Sequence, residues 1–249
     1  MHDLLNNIRT RKPLVHCITN YVTANDCANH LLAAGAIPVM ADAPEETGEI
    51  AAHAQALVLN LGTLSVSRLE AMRLAGKAAN QCGIPVVLDP VGVWAAAFRM
   101  RAAEQLLREV QFTAIRGNLR EITALCGETQ DPARALAASR NTKVICTGET
   151  DLVTDGKTAF RIRNGHAILR QITGAGCMLS ALTGAFLAAE NSVESCAAAV
   201  CAMGLAGETA ASRMTALDGN ASCRSYLIDA MFRMTDEQLE EGAKLEHLT

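Results

Sequence analysis

Short apolar runs alternate with longer helical segments through the first 147 residues. No other feature of the chain constrains its fold as tightly. The runs are 13–18 (PLVHCI), 37–40 (IPVM), 56–60 (ALVLN), 85–89 (PVVLD), 112–116 (FTAIR) and 143–147 (KVICT). Helical signals fill 23–34, 44–54, 65–82, 99–110, 118–126 and 131–139, with Ser65 and Ser67 as caps for the third and Gly83 and Pro85 as its stop. Strand and helix alternating in this way predict an α/β fold, a mainly parallel sheet with helices on both faces.

Composition supports a close-packed version of that fold. Half of the residues are hydrophobic but only 3% are aromatic, so the core is built from Ala, Leu, Val, Ile, Met and Cys. Such small residues let helices sit close to a parallel sheet. After 147 the pattern changes. Residues 150–170 alternate apolar and polar, with turn signals at Asp155-Gly156 and Asn164-Gly165, and predict a meander of antiparallel edge strands. Helices are expected over 175–189, 193–216 and 220–233, and a tail helix over 235–249. The apolar stretches 177–189 and 196–207 are separated by Glu190, Asn191, Ser192 and Glu194. Neither reaches the ~20 residues of a membrane span. The N-terminus, MHDLLNNIRTRKPLV, carries no signal-peptide core. Without repeats, low-complexity tracts or linkers, the chain is expected to form one domain over 1–249. A net charge of −4 with no run of like charges excludes a nucleic-acid partner. Nine cysteines without a Cys-x-x-Cys pair point to a reducing, cytoplasmic setting and to thiols acting mostly as small buried hydrophobes.

In open α/β sheets, ligands bind beyond the carboxyl ends of the strands. The residues expected there are Thr19 and Asn20; Met40 and Asp42; Asn60, Gly62 and Thr63; Asp89, Pro90 and Gly92; Arg116, Gly117 and Asn118, with Glu121 close behind; and Thr147, Gly148 and Glu149. Glycines that admit phosphate oxygens to backbone N–H groups, the carboxylates of Asp89 and Glu121, the Arg116 cation and hydroxyls suit a phosphorylated ligand with a divalent cation. Taken singly, Asp89 reads as a turn former and Glu121 as a first-turn charge behind an Asn118 cap. It is their common place at one sheet edge that argues for a site. The chain has no G-x-x-x-x-G-K-[ST] loop and no G-x-G-x-x-G after its first strand. It does have ITGAGCMLSAL over 172–182, where Gly174 and Gly176 precede a helix whose N-terminus can cradle an anion. His16 reads as a satisfied core histidine, Met178 and Met203 read as packing, and Met40 is placed to wall an apolar ring.

Taken together, PLVHCITNYVTANDCANHLLAAGAIPVMADAPEE, LVLNLGTL, VVLDPVGV, IRGNLREI, CTGETDLVTDG and ITGAGCMLSAL resemble the hydroxyethylthiazole kinase family, in matching order from about 13 to 190. The resemblance implies a ribokinase-like three-layer α/β sandwich. It implies ATP- and Mg²⁺-dependent phosphorylation of the alcohol of 5-(2-hydroxyethyl)-4-methylthiazole in thiamine salvage, by a homotrimer with active sites at subunit interfaces. By position it implies Met40, Asn20, Val22, Cys27 and Gly174 toward the thiazole, Arg116, Thr147 and Asn118 toward ATP, and Asp89 and Glu121 toward the metal. Cys177 stands where related kinases place an Asp. Three residues depart from the family pattern: Cys17 where Asn is more frequent, Ala175 where Thr is frequent, and Trp94 where a small residue is expected. Trp94 is expected to reshape the site beside Asp89. For the reaction, the helix dipole is expected to lower the Cys177 thiol below its free value so that a thiolate accepts the hydroxyl proton. Rival readings are a kinase for another small heterocyclic alcohol of the hydroxymethylpyrimidine type, an ATP-dependent NAD(P)H-hydrate dehydratase, and a non-catalytic sensor.

Overall fold

The predicted alternation is realised in the first six strands of the computed structural model, which describes residues 3–248. These are β1 (Leu14–Ile18), β2 (Ile37–Val39), β3 (Ala56–Asn60), β4 (Val86–Asp89), β5 (Ala114–Asn118) and β6 (Lys143–Thr147), all paired in parallel. The antiparallel strands β7 (Asp151–Thr154), β8 (Ala159–Ile162) and β9 (Leu245–Leu248) complete the sheet. Among the described residues the order is β2-β1-β3-β4-β5-β6-β7-β8-β9.

Successive side chains on a strand point to opposite faces, and β3 shows the consequence. Ala56 and Val58 join one apolar core, Leu57 and Leu59 the other. The first core takes α1 (Leu4–Arg11), α2 (Ala24–Ala34), α8 (Ala175–Ala189), α9 (Val193–Ser212) and α10 (Asn220–Arg233). The second takes α3 (Pro44–His53), α4 (Val66–Gln81), α5 (Ala97–Glu109), α6 (Leu119–Cys126) and α7 (Pro132–Arg140). Helices on both faces make the expected three layers. The starts of the helices follow their caps: Ser65 Oγ accepts from Arg68 N (3.2 Å), and Asn118 and Glu121 form a reciprocal capping box. Among the described residues no helix is long and apolar enough to cross a membrane.

The structure corrects three expectations of local structure. Strand β5 runs two residues later than 112–116, because Arg116, Gly117 and Asn118 pair with Ile145, Cys146 and Thr147. The meander ends after β8, and residues Ala167–Gln171 form a 3-10 helix in place of a further strand. The tail is helical only in α11 (Asp236–Gly242), after which the chain turns back as β9 along β8; Thr249 lies outside the described residues. Long-range contacts decide this last case. Glu246 pairs with Arg161 and Arg163 at 3.1 Å each, and the His247 ring lies 5.2 Å from that of Phe160. The N-terminal stretch also forms an element that its charges concealed. Helix α1 buries Leu4, Leu5 and Ile8, and the Asp236 carboxylate accepts hydrogen bonds from Leu5 N and Asn6 N at 2.9 Å, a favourable place for a negative charge.

Candidate active site

Strands β3 and β4 end side by side, with Asn60 opposite Asp89. Asn60 Nδ2 donates to Asp89 Oδ2 at 2.7 Å, and Ser180 Oγ on α8 donates to the same oxygen at 2.7 Å. The Asn60 amide also reaches Cys177 Sγ at 3.3 Å. Asn20 Nδ2, just beyond β1, donates to Cys177 Sγ at 3.2 Å and lies 3.4 Å from Asn60 Oδ1. Gly62 N donates to Asn60 Oδ1 at 2.9 Å, which fixes the orientation of that amide. Three strand ends and one helix N-terminus thus converge on the Cys177 thiol.

On the β5 side, Arg116 Nη2 donates to Thr147 Oγ1 at 2.9 Å, and its Nη1 lies 3.9 Å from Asp89 Oδ1. The guanidinium lies directly on the turn that opens α8. A Cβ at Gly176 would come within 2.4 Å of Arg116 Nη1. Gly174 has φ +84° and a Cβ there would meet Thr23 Cγ2 at 2.2 Å, so both the conformation and the contact demand glycine. A cavity of about 540 Å³ opens beside this turn, lined among others by Arg116, Thr147, Ala175, Gly176, Val200 and Met203. Asn20, Met40 and Cys177 are not among its walls. The Arg116–Gly176 contact therefore sits at the boundary between the cavity and the Asn20–Cys177 group.

Burial dominates the electrostatics. Asp89 is fully buried, and desolvation pushes its carboxyl up to about 6 against the opposing pull of Arg116. Burial also raises the Cys177 thiol, and the neighbouring Asp89 charge raises it further. This overturns the expected lowering by the helix N-terminus: desolvation of a thiolate outweighs a partial dipole charge here. Cys27 is fully buried and raised by the same effect, and Cys17, a buried residue of β1, is pushed up to about 12. His16 is a core histidine as expected, but only half satisfied, since its buried Nδ1 has no hydrogen-bond partner. Burial lowers it, and its Nε2 bonds the Ala41 carbonyl at 2.7 Å, steadying the loop that carries Met40 and Asp42.

Asn20, Gly174, Cys177, Asp89, Arg116 and Thr147 therefore come together, and Met40 packs half-buried on the same core as α8. Glu121 lies close by: Oε1 accepts from Gly92 N and Oε2 from Asn118 N, both at 2.9 Å. Val22 is 68% exposed, which takes it out of a pocket formed by this chain alone, and the Asn118 amide oxygen is occupied in capping Glu121 N at 3.0 Å. Trp94 stays at the surface beneath the Arg120 guanidinium, 3.3 Å from the ring centroid, so it does not fill the space beside Asp89. Asn60, expected only at the strand edge, and Ser180, not expected at all, are central. Ser180 was detectable as the residue three positions after Cys177 on one helix face. Asn60 was detectable as a polar end to an otherwise apolar strand.

Among the described residues, a nine-stranded, mainly parallel sheet with a glycine-flanked helix N-terminus at its carboxyl edge defines a ribokinase-like architecture. It superposes on a ribokinase-like superfamily protein from Enterococcus faecalis V583 with a TM-score of 0.62, at 15% identity, over 88% of this chain and 86% of that one. A much nearer likeness is the hydroxyethylthiazole kinase protein of Pyrococcus horikoshii OT3, with a TM-score of 0.94 and 38% identity over 99% and 98% of the two chains. In sequence the chain is 41% identical to the hydroxyethylthiazole kinase of Clostridium acetobutylicum over 99% of both. The model of the Hydroxyethylthiazole kinase family matches residues 5–237, and the chain belongs to that family.

Proposed function

We propose that the protein transfers the γ-phosphoryl group of ATP to the hydroxyl of 5-(2-hydroxyethyl)-4-methylthiazole, a step of thiamine salvage, acting in the cytoplasm as one kinase domain over 1–249. The observation that carries this reading is the division of the site at Arg116 and Gly176. The cavity lined by Thr147, Val200 and Met203 has the size and the mixed polar and apolar walls that a nucleotide needs. The Asn20–Met40–Cys177 side offers a half-buried place for a small ring whose alcohol faces the γ-phosphate.

Phosphoryl transfer asks mainly for positioning and charge neutralisation. Arg116 and the N–H groups of the α8 turn serve the phosphates in this reading. Asp89 fits a metal role, because its buried Oδ1 has no hydrogen-bond partner. Each Glu121 oxygen keeps a lone pair beyond its single backbone bond. A Mg²⁺ bound through one or two carboxylates, water and phosphate needs no more than these two side chains from the protein. Bound there, Mg²⁺ would neutralise phosphate charge. Cys177, held as a neutral thiol by its surroundings, marks the place of the alcohol without serving as a strong base. The exposed Val22 and Tyr21 beside the site support a homotrimer in which a neighbouring chain covers them. The test is ADP release by the purified protein with Mg²⁺-ATP: turnover with the thiazole alcohol and none with a hydroxymethylpyrimidine alcohol is expected, and the reverse would sink the reading.

A further inference from the structure

Arg68 is 3% exposed and stands in the first turn of α4. Neither circumstance favours a guanidinium, since burial opposes an ion and a helix N-terminus repels a cation. Its contacts explain its presence. Nη2 donates to the Thr19 carbonyl beyond β1. Nη1 donates to the Thr63 carbonyl at 3.3 Å and to Thr63 Oγ1 at 2.8 Å, beyond β3. Nε lies 3.4 Å from Asp42 Oδ2, beyond β2. Tyr21 covers the group, with its ring centroid 4.4 Å from the guanidinium carbon and its hydroxyl donating to Asp42 Oδ2 at 2.8 Å. Thr63 has φ +47°, a left-handed conformation that a β-branched residue adopts only under constraint. Here Arg68 bonds both its carbonyl and its hydroxyl, and Tyr21 N donates to the same hydroxyl at 3.2 Å. One buried cation therefore ties together the loops that leave β1, β2 and β3, the loops that carry Asn20, Met40 and Gly62.

We propose that Arg68 is a positioning residue for the acceptor alcohol: it locks these three loops together and so fixes Met40 relative to the Asn20–Cys177 pair. The inference rests on the assignment of that side of the site to the alcohol. Steady-state kinetics on Arg68→Met, Arg68→Lys and Asp42→Asn, with Met40→Ala as the control for the acceptor assignment, tests it. Arg68→Met is expected to raise KM for the thiazole alcohol about ten- to a hundredfold, as loss of positioning does, while KM for ATP stays within about twofold. Arg68→Lys recovers part of the loss, because it keeps the charge but not the planar fork. Asp42→Asn acts from the surface end of the network and raises the alcohol KM less, in a chain that folds normally. If Met40→Ala raises the alcohol KM and neither Arg68→Met nor Asp42→Asn does, the clamp is overturned and the acceptor assignment stands. If none of the three raises it, both fall. Should Arg68→Met fail to fold, Asp42→Asn decides: an unchanged alcohol KM overturns the clamp.

Discussion

At the scale of single residues, the site turns on two groups whose protonation burial controls. Asp89 carries a carboxyl pushed up from 3.8 to about 6, so the free protein holds it neutral at acid pH and ionised above about 6. If the ionised form serves metal and phosphate, kcat/KM rises with pH through an apparent pKa near 6, and Asp89→Asn abolishes that limb along with most of the activity. The same shift acts on stability in the opposite sense. Between about 4 and 6 the folded chain binds the proton that the unfolded chain has already released, so stability is full below the lower value and declines as pH rises through the upper one. Asp89→Asn is therefore expected to make the ligand-free protein more resistant to urea at pH 7.5, with a smaller gain at pH 4. Cys177 invites a different test. A true general base contributes about 10²- to 10⁴-fold, whereas a neutral thiol that occupies the place of one contributes little; Cys177→Ala is expected to lower kcat less than about tenfold. Much of this site was legible in the sequence, because Asp89, Arg116 and Thr147 each stand at or next to the end of an apolar run. The thiol's protonation state was not, because a helix terminus is visible in sequence and the desolvation that overrides it depends on residues far apart in the chain.

At the scale of elements, α8 is both wall and trigger. It opens on the Gly174–Cys177 turn and then buries every residue from Met178 to Leu187. Phe186, fully buried, is the bulkiest side chain among them. Phe186→Ala is expected to cost about 3–5 kcal/mol, read as a lower urea midpoint with an unchanged slope. The Val- and Leu-rich strands and their capped helices were plain in the sequence, since local periodicity and caps suffice for them. The register of β5 and the return of the chain as β9 were not. Arg116 lies inside its strand only because β6 offers Ile145 as its partner, and LEHL becomes a strand only because Arg161 and Arg163 await Glu246. Those partners lie 29 to 85 residues away in sequence, beyond the reach of any local pattern.

At the scale of the whole molecule, Tyr21 and Val22 are exposed beside Asn20, on the side of the site proposed for the acceptor. If the proposed trimer covers them, the solution mass is three times the 26.3 kDa of one chain, and Val22→Asp yields monomers with a raised alcohol KM; a wild-type monomer or dimer by light scattering would remove the trimer. The two ends of the chain are also structurally linked. Asn164, which helps to line the 540 Å³ cavity, is held by the Gly242 carbonyl at 2.9 Å and by Lys244 N at 2.7 Å, and the Asp236 carboxylate caps α1. Residues 236–244 therefore act as a shared clasp: loosening them frees the first helix and one wall of the cavity together, so a disturbance far from the cavity in sequence reaches it in space.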